Sequence, residues 1–188
     1  MSRAYTLRLK ESLRRTVVVR DGVRAALEVL EVLPREQMAE LLRARLGARG
    51  FVQDALGALV RDEPDGVRVS VDPVLHTVTL SLAGEQAIDL EAEASVPTFE
   101  ERHAHDERTG RAALQGELEA DAAAVEATLR ADVAERLSRR LADLRGELDR
   151  VTHEVVADGL ERRAAQLGQI TELSRDDATG ELTIRVKL

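Results

Sequence analysis

The residues with the best claim to chemistry stand in one charged run, Glu100-Glu101-Arg102-His103-Ala104-His105-Asp106-Glu107. Imidazole nitrogen and carboxylate oxygen both ligate divalent metals, so His103 and His105 are the candidate ligands of a metal-dependent enzyme or a metal sensor. Two facts weigh against that chemistry. No third histidine lies nearby, since His76 and His153 belong to other elements, and a charge-rich run between elements reads more simply as a solvated linker.

No other residue set has a catalytic frame. Ser12, Ser70, Ser81, Ser95, Ser138 and Ser174 lack the Gly-x-Ser-x-Gly elbow. The chain has neither a Gly-x-x-x-x-Gly-Lys phosphate loop nor a Gly-x-Gly-x-x-Gly fingerprint. The acid pairs Asp62-Glu63 and Asp176-Asp177 fall in turn sequences, where aspartate serves the backbone, and neither supplies the alternating ligands of a calcium loop. With no cysteine there is no disulfide, thiol nucleophile or thiolate zinc site. The expected inventory is therefore no catalytic residue, no cofactor and no metal, and a protein that binds and assembles.

Composition narrows what it binds. A formal charge of −8 argues against nucleic acid, whose phosphates need a clustered positive footprint. Tyr5, Phe51 and Phe99 are the only aromatic residues, leaving little for base or sugar stacking and requiring an aliphatic core. The N-terminal residues run into an alternating pattern without the apolar core of a signal peptide. No run is long enough to span a bilayer, so a cytoplasmic protein is expected.

The elements that must position these residues follow from periodicity. Residues 3–10 alternate, 16–19 are β-branched, and Asp21-Gly22 reads as a hairpin turn into a further strand over 23–33. Pro34 suits the first position of a helix carrying Met38, Leu41, Leu42 and Leu46. Strands are expected at 58–61, 67–72, 76–82 and 87–94, an antiparallel meander. Pro97-Thr98 then opens a polar linker.

From about Arg111 to Leu167 there is no proline, and an aliphatic stripe runs from Leu114 through Leu118, Ala122, Val125, Leu129, Val133, Leu137, Leu141, Leu144, Leu148 and Val151 to Val155. Leu114 to Val151 is 37 residues in ten steps, or 3.7 per step. That is nearer an eleven-residue repeat than a heptad, so a tight left-handed coiled coil is disfavoured. Unbroken, such a helix would reach roughly 85 Å at about 1.5 Å per residue. Its polar faces carry nine Arg against twelve acids and no Trp or Phe, which disfavours a membrane-surface helix. Gly146 and Gly159 lack turn companions, so the helix is expected to continue through both. After Gly168, residues 170–173 and the alternating 182–188 make a C-terminal hairpin.

The fold class is thus α+β: an antiparallel meander with a short helix, one very long amphipathic helix and a terminal hairpin. The segments are an N-terminal α+β domain at 1–96, a linker at 97–110, the helix at 111–167 and the hairpin at 168–188. Leu46-Gly47 and Leu167-Gly168 each end a helix before a hairpin, and Arg61-Asp62-Glu63-Pro64-Asp65-Gly66 parallels Arg175-Asp176-Asp177-Ala178-Thr179-Gly180. Either internal duplication or convergent turn chemistry produces such a match.

The stripe is longer than a small meander can cover. The expected interaction surface is therefore Leu118, Val125, Leu129, Val133, Leu137, Leu141, Leu144, Leu148 and Val151, meeting a second copy of the chain, another protein, or both.

Met1-Ser2-Arg3-Ala4-Tyr5, Glu11-Ser12-Leu13-Arg14-Arg15-Thr16-Val17, the run Leu33 to Leu42, Arg49-Gly50-Phe51 and Asp65 to Val71 together resemble a family of small bacterial proteins encoded beside FtsH-like AAA+ ATPases, in FtsH ternary systems. The resemblance covers about the first 80 residues and contains no catalytic signature. It implies a non-enzymatic accessory working with an AAA+ ATPase encoded nearby, in defence against invaders. It assigns no functional residue.

Overall fold

In the computed structural model, residues 4–176 and 181–187 are described. The alternation at the N-terminus does not stop at the expected turn. A single strand, β1, runs Ala4–Ala26 and buries Leu9, Val17 and Val19. Gly22 lies within it because a Cβ there would come within 3.0 Å of the Leu80 carbonyl oxygen. The Asp-Gly pair, expected to reverse the chain, instead lets two strands approach. Residues 27–34 are irregular rather than strand, with Leu27 and Leu33 buried.

Helix α1 spans Arg35–Gly47, and Pro34 is its N-cap rather than its first residue, with φ −51 and ψ 145. The Pro34 carbonyl accepts from the amides of Gln37 and Met38. The helix buries Met38, Ala39, Leu41, Leu42 and Leu46, the face expected from spacing.

Strands β2 (Val52–Gln53), β3 (Leu59–Asp62), β4 (Arg68–Asp72) and β5 (Thr77–Phe99) follow. They join β1 in a five-stranded sheet of order β1-β5-β4-β3-β2. The β2–β3, β3–β4 and β4–β5 pairs are antiparallel, with Val60 opposite Ser70 and Val71 opposite Val78. Of these, β2 had no sequence signal beyond Val52. The strands expected at 76–82 and 87–94 are one strand, β5, which passes through Gly84 without turning.

The polar linker expected at 97–110 is not a linker. Strand β5 reaches Phe99, one 3₁₀ turn covers Glu100–Arg102, and helix α2 begins at His103 and runs unbroken to Leu167, 65 residues. Thr98 fixes this corner: it is buried, and its hydroxyl donates to Asp106 Oδ2 at 2.7 Å. Glu100, Glu101 and Asp106 also suit the positive end of the helix dipole. A charged run that looks like a loop is thus a helix start.

Strands β6 (Gln169–Asp176) and β7 (Glu181–Lys187) form the expected hairpin as a separate two-stranded sheet. Its turn at 177–180 and Leu188 lie outside the described residues. The two Leu-Gly helix ends have different causes. A Cβ on Gly47 would meet nothing within 4 Å, whereas one on Gly168 would run into the Lys187 carbonyl oxygen.

Two compact units divide the chain: Met1–Asp21 with Ala83–Glu135, and Gly22–Leu82 with Arg136–Leu188. Each combines sheet residues with helix residues, so the segments 1–96 and 111–167 are not separate bodies. In the first unit, β1 and β5 residues meet the N-terminal part of α2. A Cβ on Gly84 would lie 2.7 Å from Val133 Cγ2 and 3.0 Å from Leu129 Cδ1. In the second, the core draws on Met38, Leu42, Leu46, Phe51, Val67, Val69, Val71, Val78 and Leu80 and on Leu137, Leu144, Leu148, Val151 and Val155 of α2. Each such aliphatic side chain contributes about 1.5–3 kcal/mol by leaving water.

Two helix glycines separate propensity from packing. A Cβ at Gly146 meets nothing within 4 Å, while at Gly159 it would sit 2.6 Å from Val32 Cγ2 and 3.2 Å from Met38 Sδ. Gly146→Ala is expected to stabilise the protein by about 1 kcal/mol in urea unfolding. Gly159→Ala is expected to fall below it by about 1–3 kcal/mol through overpacking. Equal effects would contradict this packing.

Candidate interaction site

Where the stripe goes decides what the surface can do. In the first unit, Leu118 and Val133 are buried and Val125 and Leu129 half-buried. In the second, Leu137, Leu144, Leu148 and Val151 are buried and Leu141 is half-buried. The expectation that this ridge outruns the chain's own surface does not hold. Its premise was a meander of short strands. Instead β1 and β5 are 23 residues each, and most of the stripe is buried in the folded chain.

A second feature runs beside the stripe, and sequence reasoning missed it. In the second unit, Arg140, Glu147, Glu154 and Asp158 of α2 each lie three residues after a buried stripe residue, Leu137, Leu144, Val151 and Val155. Each carries a charge partner from outside α2. Glu63, with 7% of its side chain exposed, accepts from Arg140 Nη2 and from Arg61 Nε at 2.7 Å. Arg61 then forks onto Glu147 with bonds of 2.8 and 2.9 Å. Its guanidinium also lies over the Phe51 ring, 4.4 Å from the centroid. Arg49 donates to Glu154 at 2.7 Å, and Arg45 forks onto Asp158 with two bonds of 2.7 Å.

This ladder ties α1 and the β3–β4 hairpin to one edge of α2. Fork-to-fork pairs of this kind add orientation as well as energy, because the planar guanidinium matches the carboxylate. Glu147's carboxyl is held below its ordinary value of 4.5, chiefly by the hydrogen bonds from Arg61 and against the opposing effect of burial. The same bonds raise the Arg61 guanidinium above its ordinary range. The sequence signal was present as charges at 140, 147 and 154, but a seven-residue spacing of charges on one helix does not reveal partners 77 to 113 residues away.

The stripe opens to solvent at a groove in the second unit. A concavity of about 420 Å³ is lined by Ala25, Ala26, Leu27, Glu28 and Val78 on one side and by Ser138, Leu141, Ala142, Arg145, Leu148, Asp149 and Thr152 on the other. A neighbouring concavity shares Glu28 and Thr152 and adds Leu30, His153, Val156, Ala157, Leu160 and Leu182. Exposed Leu30 and Leu160 extend the apolar lining. In the first concavity the aliphatic side chains share the lining with Glu28, Ser138, Arg145, Asp149 and Thr152.

Against this geometry, the sequence matches the family model for FtsH ternary system domain X5 over residues 1–188. The chain belongs to that family. No curated protein and no solved structure matches it. The match extends the resemblance seen in the first 80 residues across the helix and the terminal hairpin of this X5 domain, which is an accessory family of FtsH ternary systems.

His103 and His105 are not brought together in the X5 domain. Both lie in the first turn of α2, and residues two apart on a helix point to different faces. His103 Nδ1 is 2.7 Å from the Tyr5 hydroxyl, its ring stacks on Tyr5 at 5.9 Å, and Nε2 is 3.5 Å from Glu107 Oε2. His105 is exposed. Among the described residues no group of three or more His, Asp or Glu could hold a metal ion. The metal reading therefore lacks the ligand geometry it needs.

The ladder makes a pH prediction. A carboxyl whose folded value lies below its unfolded value stabilises the fold at every pH above the unfolded value. That contribution is lost as pH falls through the folded value. The X5 domain should therefore lose stability on acidification below about pH 4.5 in part through Glu147. Urea midpoints measured at neutral and acid pH should show Glu147→Gln less stable at neutral pH and falling less on acidification. Arg61→Leu should cost about 2 kcal/mol at neutral pH, because it strips charge-assisted bonds from both Glu147 and Glu63.

Proposed function

We propose that this X5 domain is a non-enzymatic adaptor that docks the AAA+ ATPase of its FtsH ternary system in the bacterial cytoplasm, in a conflict or defence setting. Family membership over the whole sequence supports the accessory role. The observation that carries the docking reading is the groove at Leu141, an open trough that a half-buried stripe residue lines together with Ala25, Ala26 and Val78 among polar and charged neighbours. Among the described residues no helix is long and apolar enough to cross a membrane.

The reading assigns the groove to the ATPase rather than to a second copy. Self-association through the stripe needs an uncovered ridge, and Leu118, Val133, Leu137, Leu144, Leu148 and Val151 are buried. Leu137 is therefore a poor probe of binding, because a charge there would disrupt the core. Leu141 is the better one.

Co-expression with the ATPase encoded beside this gene, followed by size-exclusion chromatography and a binding isotherm, tests the proposal. Wild-type protein should co-elute with the ATPase, and Leu141→Asp should keep its helical circular dichroism while binding at least about tenfold more weakly, roughly 1.4 kcal/mol. Failure of the wild type to bind, or unchanged binding by a folded Leu141→Asp, would overturn it.

A further inference from the structure

Two turns in the second unit hold aliphatic side chains out into water by rigid local bonding. In the β2–β3 turn, Asp54 Oδ1 accepts from the amides of Leu56 and Ala58, both at 2.9 Å, and Leu56 is 94% exposed. In the β4–β5 turn, Asp72 Oδ1 accepts from the amides of Val74 and Leu75, both at 2.9 Å, and Leu75 is 61% exposed. His76 completes that turn at φ 51, a left-handed conformation that a residue with a Cβ rarely adopts. Such turns would be cheaper with polar tips. Both keep aliphatic ones.

Between the tips lies a concavity of about 450 Å³. Its lining includes the hydroxyl residues Ser70, Thr77 and Thr79 and two arginines, Arg24 and Arg43. Arg24 Nε reaches only the Thr79 hydroxyl, at 3.4 Å. Arg43 has a buried Nε without a hydrogen-bond partner. The one carboxylate in the lining, Asp72, has Oδ1 committed to the turn amides. This contrasts with the ladder in the same unit, where Arg45, Arg49, Arg61 and Arg140 all carry carboxylate partners. In a chain with 35 acidic residues against 27 basic ones, two arginines without a carboxylate beside exposed leucines are a site with an anion outstanding.

We propose that this concavity binds an extended peptide segment of a partner protein in which an acidic residue is flanked by aliphatic ones. Arg43 and Arg24 take the carboxylate, and Leu56, Val74 and Leu75 take the flanking side chains. Nucleic acid fits less well, because the rim offers aliphatic groups and no aromatic platform, and the chain carries net charge −8. This site is separate from the Leu141 groove, and it stands whether or not that groove docks an ATPase.

Fluorescence anisotropy with a labelled series of short peptides tests it, each member carrying one Asp or Glu between Leu and Val residues, with an Asn or Gln twin. The full chain should bind members of the acidic series saturably. The amide twins should bind at least about tenfold more weakly, and so should Arg43→Gln and Leu56→Ser on the acidic peptides. Leu56 is nearly fully exposed, so its variant keeps the fold even if Arg43→Gln perturbs α1. The proposal is overturned if no acidic peptide binds, if the twins bind equally, or if both folded variants bind like wild type. It is also overturned if a single-stranded oligonucleotide competes the peptide off, or if sedimentation shows a dimer that Leu56→Ser dissolves, which would make a second copy the occupant.

Discussion

An aliphatic stripe from Leu114 to Val155 of a 65-residue helix cannot stay in water, and a chain with three aromatic residues has mainly leucine, valine and alanine with which to cover it. That constraint explains the length of β1 and β5. Short strands joined by tight turns would leave most of the stripe bare. Strands of 23 residues supply more surface, and glycine at position 84 lets strand and helix close to contact. The sheet's long strands and the helix's long stripe are two consequences of one packing need.

Aliphatic packing alone specifies position poorly, because Leu, Val and Ala surfaces interdigitate in several registers at similar energy. The ion-pair ladder removes that ambiguity in the second unit. Glu63, Arg61, Arg49 and Arg45 engage Arg140, Glu147, Glu154 and Asp158 in order, and the sign changes between the first two rungs, so a slip of two helical turns there would set Arg61 against Arg140 or Glu63 against Glu147. Partly exposed pairs of this kind add modest stability individually and more in register. The X5 domain uses apolar burial for energy and arginine forks for alignment.

What the sequence disclosed follows from which signals are local. The 3.7-residue stripe, the α1 face of Met38 to Leu46, the β3 and β4 strands and the terminal hairpin were legible, because periodicity within one element fixes its buried face. Asp21-Gly22 misled, since the same dipeptide serves a tight turn or a close strand approach, and only the neighbouring Leu80 carbonyl tells which. The run at 97–110 misled because acids and histidines read as loop, whereas Thr98 and Asp106 make it a helix start. The candidate site was half legible. Leu141 and Leu148 of the expected stripe line the groove, but the burial of most of the stripe and the ladder beside it depend on contacts across the fold.

Together these features describe an X5 domain whose hydrophobic ridge is largely buried in the folded chain, with restricted openings to solvent. Hydrogen–deuterium exchange at two widely separated protein concentrations tests that most directly, read on peptides spanning Leu137–Val151. The account predicts strong amide protection in this stretch that does not change with concentration, since the chain's own strands provide the cover. Protection that appears only at the higher concentration would contradict it, by showing that the stripe is sheltered by another copy.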